Sequence, residues 1–258
     1  MDTQQQKQFK ILLIGDSCTD VYQYGVVDRI SPEAPVPIFV KHSSETKLGM
    51  VHNVAINLSN LGCDVHIISG KDSTKTRLID IRSKQQIVRI DDDVYSNTIN
   101  YKVCNLNKFD AVVISDYNKG SISYEMVEDL RKDFHGPIFI DTKKTELEEF
   151  SADNVFVKIN ELEYKSARSL PRNLIVTLGE RGARLKTPDS DATYPTRRVE
   201  VVDVCGCGDT FLSTLSCTYI LTDDIDLAIT TANFASSITV QHSGNYAPKF
   251  KEILNARH

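Results

Sequence analysis

No Cys-x-x-Cys pair occurs among the six cysteines, which stand at positions 18, 63, 104, 205, 207 and 217. A zinc ribbon and a thioredoxin-type redox motif both need that spacing, so neither is expected. Cys205 and Cys207 have no His or Cys partners at zinc spacing, and free thiols in a reducing cytoplasm are the simplest account of all six. No apolar run approaches the ~20 residues that span a bilayer, and the polar start MDTQQQKQFK has no signal-peptide core. Basic charge is not in excess. The net charge of −5 gives no global field for nucleic acid or an anionic membrane surface. No Gly-x-x-x-x-Gly-Lys-Ser/Thr run is present, which argues against a P-loop phosphate site. Internal repeats, low-complexity tracts and interdomain linkers are also missing. What is there is an ordinary globular composition, 41% hydrophobic and 25% charged, in 258 residues. That length suits one large α/β domain, and the whole of 1–258 reads as one.

Residues 1–8 read as a frayed tail. Residues 9–14, FKILLI, form an apolar run ending at Gly15-Asp16, with Asp20 close behind. This is the pattern of a buried parallel strand with a polar loop at its carboxyl end. Asp16 and Asp20 equally suit turn positions. Further short apolar runs at 65–69, 109–115, 137–140 and 155–159 predict an open parallel sheet with polar residues gathered at one edge. Helices are expected over about 54–61, 123–132 and 227–240, with Gly62 and Gly244 as stops. Three prolines within 32–37 predict extended chain with turns over 22–40.

The most informative stretch runs from Val202 to Tyr219. The apolar-rich run 199–204 reads as a strand end, and Gly206, Gly208 and Asp209 follow. Leu212, Leu215 and Tyr219 then recur at helix spacing. A glycine turn therefore delivers an acid to the first turn of a helix, where free amides and the helix dipole suit an anion. An Asp beside bound phosphate can take a proton from an attacking hydroxyl; the same Asp also suits an N-cap. Cys207 among such amides is expected to be a thiol of lowered pKa, or else an inert filler of small space.

The run VCGCGDTF at 204–211 resembles the anion-hole signature of ribokinase-like (phosphofructokinase-B) carbohydrate kinases, with Cys205 and Cys207 where the family has Thr and Ala. RISPEAPVPI at 29–38 closely resembles a segment of the heptose-7-phosphate kinase domain within that family. The resemblance implies a three-layer α/β sandwich with a mostly parallel sheet and a small β lid, formed from about 21–40 and 76–90. Relative to the family the chain is trimmed by two deletions, after Gly70 and within 164–173. It implies an ATP- and Mg²⁺-dependent cytoplasmic kinase for a phosphosugar, most closely D-glycero-D-manno-heptose 7-phosphate at O1, dimerising through the lid; a kinase for another sugar or phosphosugar, or a catalytically weak sugar- or nucleotide-binding protein, is the alternative. No nucleic-acid or membrane partner is expected.

The family roles carry over residue by residue. Asp209 is the base, and Gly206, Cys207 and Gly208 supply the anion hole. Asp16, Asp20, Gly49 and Asn53 meet the sugar, with Arg29 and Lys119 as partners for its phosphate. Met50 stands where the family has a second glycine. Asn160 and Glu163 match Asn-x-x-Glu, which positions phosphate and hydrated Mg²⁺; they also suit a capping box. Thr177, Gly179 and Gly182 match the nucleotide turn, and Asn233 the adenine-side helix.

Overall fold

The computed structural model describes residues 8–255. The tail expected over 1–8 lies outside them, apart from Gln8. Ten strands form one sheet among the described residues: β1 (Lys10–Ile30), β2 (Pro37–Met50), β3 (Asp64–Asp80), β4 (Gln86–Asp92), β5 (Ala111–Asp116), β6 (Ile138–Thr142), β7 (Val155–Asn160), β8 (Leu174–Thr177), β9 (Ala183–Lys186) and β10 (Asp191–Tyr194). Their order is β10-β9-β8-β7-β6-β5-β1-β3-β4, with β2 pairing β1. The centre, from β3 through β8, is parallel. β9, β10, β2 and β4 add antiparallel pairs at the margins.

The period of two along each central strand divides the core. Ile11, Leu13, Val113 and Phe139 point to one face, where they meet α1 (Val51–Asn60), α4 (Cys207–Thr222) and α5 (Ile225–Thr239). Leu12, Ile14, Val112, Ile114, Ile138 and Ile140 point to the other, against α2 (Tyr124–Asp133). Both sets are fully buried. Burying each such side chain contributes roughly 1.5–3 kcal/mol. Ser123 caps α2, accepting from the Met126 amide at 3.1 Å. The second trimmed region holds only the six-residue α3 (Glu161–Ser166) before β8.

Two expected boundaries move. β1 does not stop at Gly15-Asp16, nor β3 at Ser69. Both continue side by side, Lys10 to Gly25 against Asp64 to Asp80, beyond the edge of the main sheet. Asp16 and Asp20 are therefore strand residues, and the turn reading is overturned. The outer halves of β1 and β3, flanked by β2 and β4, make a four-stranded extension. It contains the stretches 21–30, 37–40 and 76–90. Between Gly15 and Ser17 the register slips, because β3 carries one more residue than β1 there. Glycines permit the crossing. A Cβ on Gly15 would lie 2.4 Å from the Ser115 carbonyl oxygen, and one on Gly70 would lie 1.9 Å from Ser121 Oγ. The first deletion now has a physical form: one strand, β3, serves both sheet and extension.

Residues 199–204 form no strand. Val202 and Asp203 amides both donate to the Val240 carbonyl at the end of α5, so their hydrogen bonds go to a helix end and not to a sheet neighbour. α5 itself ends at Thr239 with Val240 as its cap, short of Gly244, which lies beyond it at φ 75°. No helix among the described residues is long and apolar enough to cross a membrane.

Gly15→Ala should cost about 1–3 kcal/mol, since its contact is main chain and cannot rotate away. Gly62→Ala, at φ 90° with nothing within 4 Å of the added carbon, should cost about 1–2 kcal/mol from backbone strain alone. Urea midpoints at constant m-value measure both; a neutral Gly15→Ala would count against the close β1–β5 approach.

Candidate active site

The polar ends of the parallel strands converge where the sheet meets α4. β5 brings Asp116 and the following Tyr117, β6 brings Asp141, β7 brings Lys158 and Asn160, and β8 brings Thr177. Gly206 at φ 76° turns the chain into α4, so it is the cap, and no side chain caps this helix. Asp209 is the third helical residue. The N-cap reading of Asp209 is thereby excluded, and its carboxylate is left for other work.

Asp209 is only 6% exposed. Burial, and then the neighbouring Asp141 carboxylate, push its pKa up to about 7. Lys158, the Asn53 side chain and Lys143 pull the other way. Burial wins because the charged form loses water that these groups only partly replace. Lys158 is itself buried and donates to Asp141 Oδ2 at 2.8 Å. Asp141 Oδ1 is buried without a protein partner. A Cβ on Gly208 would lie 3.0 Å from Lys158 Nζ, so the lysine sits directly beneath the glycine turn.

Two cavities meet at Gly208. One, of about 480 Å³, is lined by Tyr117, Asp141, Lys143, Lys158, Asn160 and Asp209 among others. The second, of about 380 Å³, runs between the β8–β9 turn and α5. Thr177, Gly179, Gly182, Cys207, Gly208 and Asn233, all expected site residues, line it. Val201 and Val204, exposed at 58% and 69%, form part of its apolar wall with Phe211 and Val240. Gly182 is required at φ 88°, where a Cβ would lie 2.1 Å from the Tyr194 carbonyl oxygen.

Asn160 and Glu163 form a complete capping box: Glu163 N donates to Asn160 Oδ1 at 2.9 Å, and Asn160 N to Glu163 Oε2 at 2.7 Å. Lys143 Nζ donates to the other Glu163 oxygen. On the opposite wall, Asp16 Oδ2 accepts from the Tyr117 and Lys119 amides at 2.8 and 3.1 Å, while Oδ1 is buried without a protein partner. Gly49 is required beside Asp20, since a Cβ there would lie 2.5 Å from Asp20 Oδ2. Met50 adopts φ 54°, so the backbone keeps a glycine-like path there at a cost of about 1–3 kcal/mol.

Two expectations fail. Arg29 lies exposed near the outer end of β1, nine residues past Asp20 and so roughly 30 Å further along the strand. One chain does not bring it to Asp209. The Cys207 pKa is not lowered: burial and the charges of Asp203, Cys205 and Asp209 push it up to about 12, overriding the amides. Lys119 is committed to an ion pair with Asp93. The sequence reading passed over Lys158, Asp141, Lys143 and Arg77 as site residues. Signals were available for Lys158, a lysine inside the otherwise apolar run 155–159, and for Asp141 and Lys143, which closely follow the apolar run 137–140.

The model of the pfkB family carbohydrate kinases matches residues 102–251. The bifunctional protein HldE of Vibrio cholerae serotype O1 is 30% identical over 301 aligned positions, covering 96% of this chain and 63% of its own length. HldE of Campylobacter curvus is 32% identical, covering 96% and 64%. The chain thus spans under two thirds of these relatives. An alignment longer than the chain requires gaps on its side, as the two deletions demand. Ribokinase from Thermotoga maritima superposes with a TM-score of 0.73 at 16% identity, covering 96% of this chain and 99% of that one. Arabidopsis thaliana ribokinase gives 0.73 at 15%, covering 97% and 99%. The architecture is therefore ribokinase-like, an α/β fold with a mostly parallel sheet and helices on both sides.

Because folding raises the Asp209 pKa from 3.8 to about 7, the native state binds the extra proton between those values. Stability therefore falls as pH rises from about 4 to 7 and is level above. Asp209→Asn should match the wild type near pH 4 and exceed it by up to a few kcal/mol at pH 8. Urea unfolding at both pH values measures this, and equal stability at pH 8 would refute the buried charge.

Proposed function

The chain belongs to the pfkB carbohydrate kinase family, and on that premise we propose that it transfers the γ-phosphoryl group of ATP to a hydroxyl of a phosphosugar. The acceptor closest to the resemblance is D-glycero-D-manno-heptose 7-phosphate at O1, in a cytoplasmic pathway to surface-glycan precursors. The observation that carries the reading is the buried Asp209, poised near pH 7 beside a glycine turn where two cavities join. A base of that proton affinity is well matched to taking a hydroxyl proton at neutral pH. The deeper apolar cavity, with Asn233 and the valine wall, suits the nucleotide base and ribose. One of the ribokinase structures was solved with ribose and ATP.

In this mechanism the amides of 206–209 receive the transferring group at the start of α4, where the helix dipole favours negative charge. Asp209 would accept the acceptor proton as the new P–O bond forms and the bond from the γ-phosphorus to the β,γ-bridging oxygen breaks, with ADP as the leaving group. Asn53 and Lys158 hold its carboxylate in place through a hydrogen bond and a charge. Glycine at 206 and 208 lets the main chain approach the phosphoryl oxygens closely.

The donor set fits hydrated Mg²⁺. Glu163 offers a carboxylate at the capping box, and Asp141 Oδ1 is a buried oxygen without a protein partner. No group of three or more ligating side chains exists among the described residues, so water and phosphate oxygens would complete the shell. When bound, the ion would neutralise charge on the phosphates. A second copy of the chain is the partner we infer for the outer face of the extension. There Leu78 pairs with Val88 and Thr76 with Ile90, and Val88 and Ile90 are 41% and 54% exposed.

Asp209→Asn should lower turnover about 10²–10⁴-fold, as loss of a general base does, with ATP affinity nearly unchanged. Glu163→Gln should instead raise the Mg²⁺ concentration needed for half-maximal rate. Coupled ADP release measures both, and near-normal turnover in Asp209→Asn would remove it as the base. Light scattering tests the dimer: a monomer at micromolar concentration would count against it.

A further inference from the structure

The inner face of the four-stranded extension gathers positive charge that its own acids do not fully meet. Asp20 of β1 has Lys47 of β2 and Lys75 of β3 as its cross-strand neighbours. One row further out, Tyr22 stands between Glu45 and Arg77. Arg77 Nη1 is 2.5 Å from Asp20 Oδ1, and its guanidinium carbon lies 5.2 Å from the centre of the Tyr22 ring. Lys47 Nζ lies 5.4 Å from the same ring centre and 3.1 Å from the solvent-facing Glu45. Lys75 is half-buried and forms no salt bridge among the described residues; its cross-strand neighbour on β4 is Asp91, which is paired with Arg89, and its charge acts on Cys18 and Asp93 from a distance. Lys47, Lys75, Arg77 and Arg89 thus share this face with Asp20, Glu45 and Asp91, and the first three gather around Asp20 and the Tyr22 ring.

This face looks into the site. The charges of Arg77 and Asp20 reach the Cys205 thiol in the glycine turn. Asp20 also acts on Tyr117, which lines the same cavity as Asp209 and feels the Asp209 charge most strongly. One wall therefore leads from Asp209 past Asp20 and outward to Arg77.

We propose that Lys47, Lys75 and Arg77 bind a phosphate carried by the acceptor sugar, at the end remote from the hydroxyl that Asp209 serves. The inference rests on the kinase reading above. Arg77 keeps Asp20 through one nitrogen and has further N–H donors in its planar fork for phosphate oxygens. The Tyr22 ring holds two of the cations by cation–π attraction, which orients them without cancelling their charge. Asp20, steadied by Arg77, faces the sugar hydroxyls between the two ends. Neither Arg29, out along the strand, nor Lys119, paired with Asp93, supplies this charge within one chain.

The test is titration calorimetry on the full chain with a panel of hexose and heptose phosphates and the same sugars without phosphate. The wild type should bind one phosphosugar at least roughly tenfold more tightly than its counterpart, and Lys75→Met and Arg77→Met should each remove about tenfold of that preference. Lys75→Met leaves no carboxylate stranded, so its loss cannot come from a collapsed site, and Arg77→Lys should restore part of the preference. Equal binding of each sugar pair by the wild type, or a preference that survives both methionine substitutions, overturns the inference. A retained preference without ADP release on adding ATP–Mg²⁺ would uphold the phosphate subsite and overturn the kinase reading instead.

Discussion

A carboxylate held out of water is the constraint to which the rest of the site answers. Asp209 is buried because α4 begins one turn earlier, at a left-handed glycine, and because Phe211, Leu212 and Leu215 draw that helix into the core. Burial is the largest influence on its proton affinity and raises it. Lys158, the Asn53 side chain and Lys143 lower it again, and Asp141 opposes them. Asp141, Lys143 and Lys158 each come from a strand end or the loop after it, and Asn53 from α1. The proton affinity of one residue thus depends on the registration of β6 and β7 against α4. A sheet that slipped by one residue would point Lys158 at the opposite face.

Much of this was legible in the chain. The short apolar runs gave the parallel strands, because strands buried on both faces must be apolar throughout. Glycines at 206 and 182 gave the turns, and the structure supplies a steric or dihedral reason for each. The continuation of β1 and β3 was not legible as strand. Beyond Ile14 the residues are mixed in polarity, since the extension meets solvent on at least one face and no longer needs an apolar run. Residues 199–204 misled for the converse reason. Their valines look like strand interior, yet Val201 and Val204 line a cavity and remain exposed.

Charge was the hardest quantity to place. Arg29 opens the segment RISPEAPVPI, and its expected place beside the sugar phosphate came with the resemblance and not from any geometry. A strand spends about 3.3 Å on every residue, so nine residues carry it far from the site. Arg77 is 57 residues from Asp20 and touches it. Pairing across strands, not position along one, decides which cations share a site. Similarly, the thiol of Cys207 lies where helix amides should favour a thiolate, but desolvation and three nearby acidic groups outweigh them.

The passage of β1 and β3 from sheet to extension without a break has a kinetic consequence. Lids that swing on loops open and close by changing a few dihedral angles. Here two hydrogen-bonded strands cross the boundary together, and the glycines at the crossing are packed against Ser115, Ser96 and Ser121. Any opening must bend a paired ribbon, so the motion is a collective flexing of small amplitude. Entry and exit of the acceptor would then be governed by the stiffness of that ribbon, and turnover would respond to substitutions at Gly15 and Gly70 even though neither touches the reacting groups.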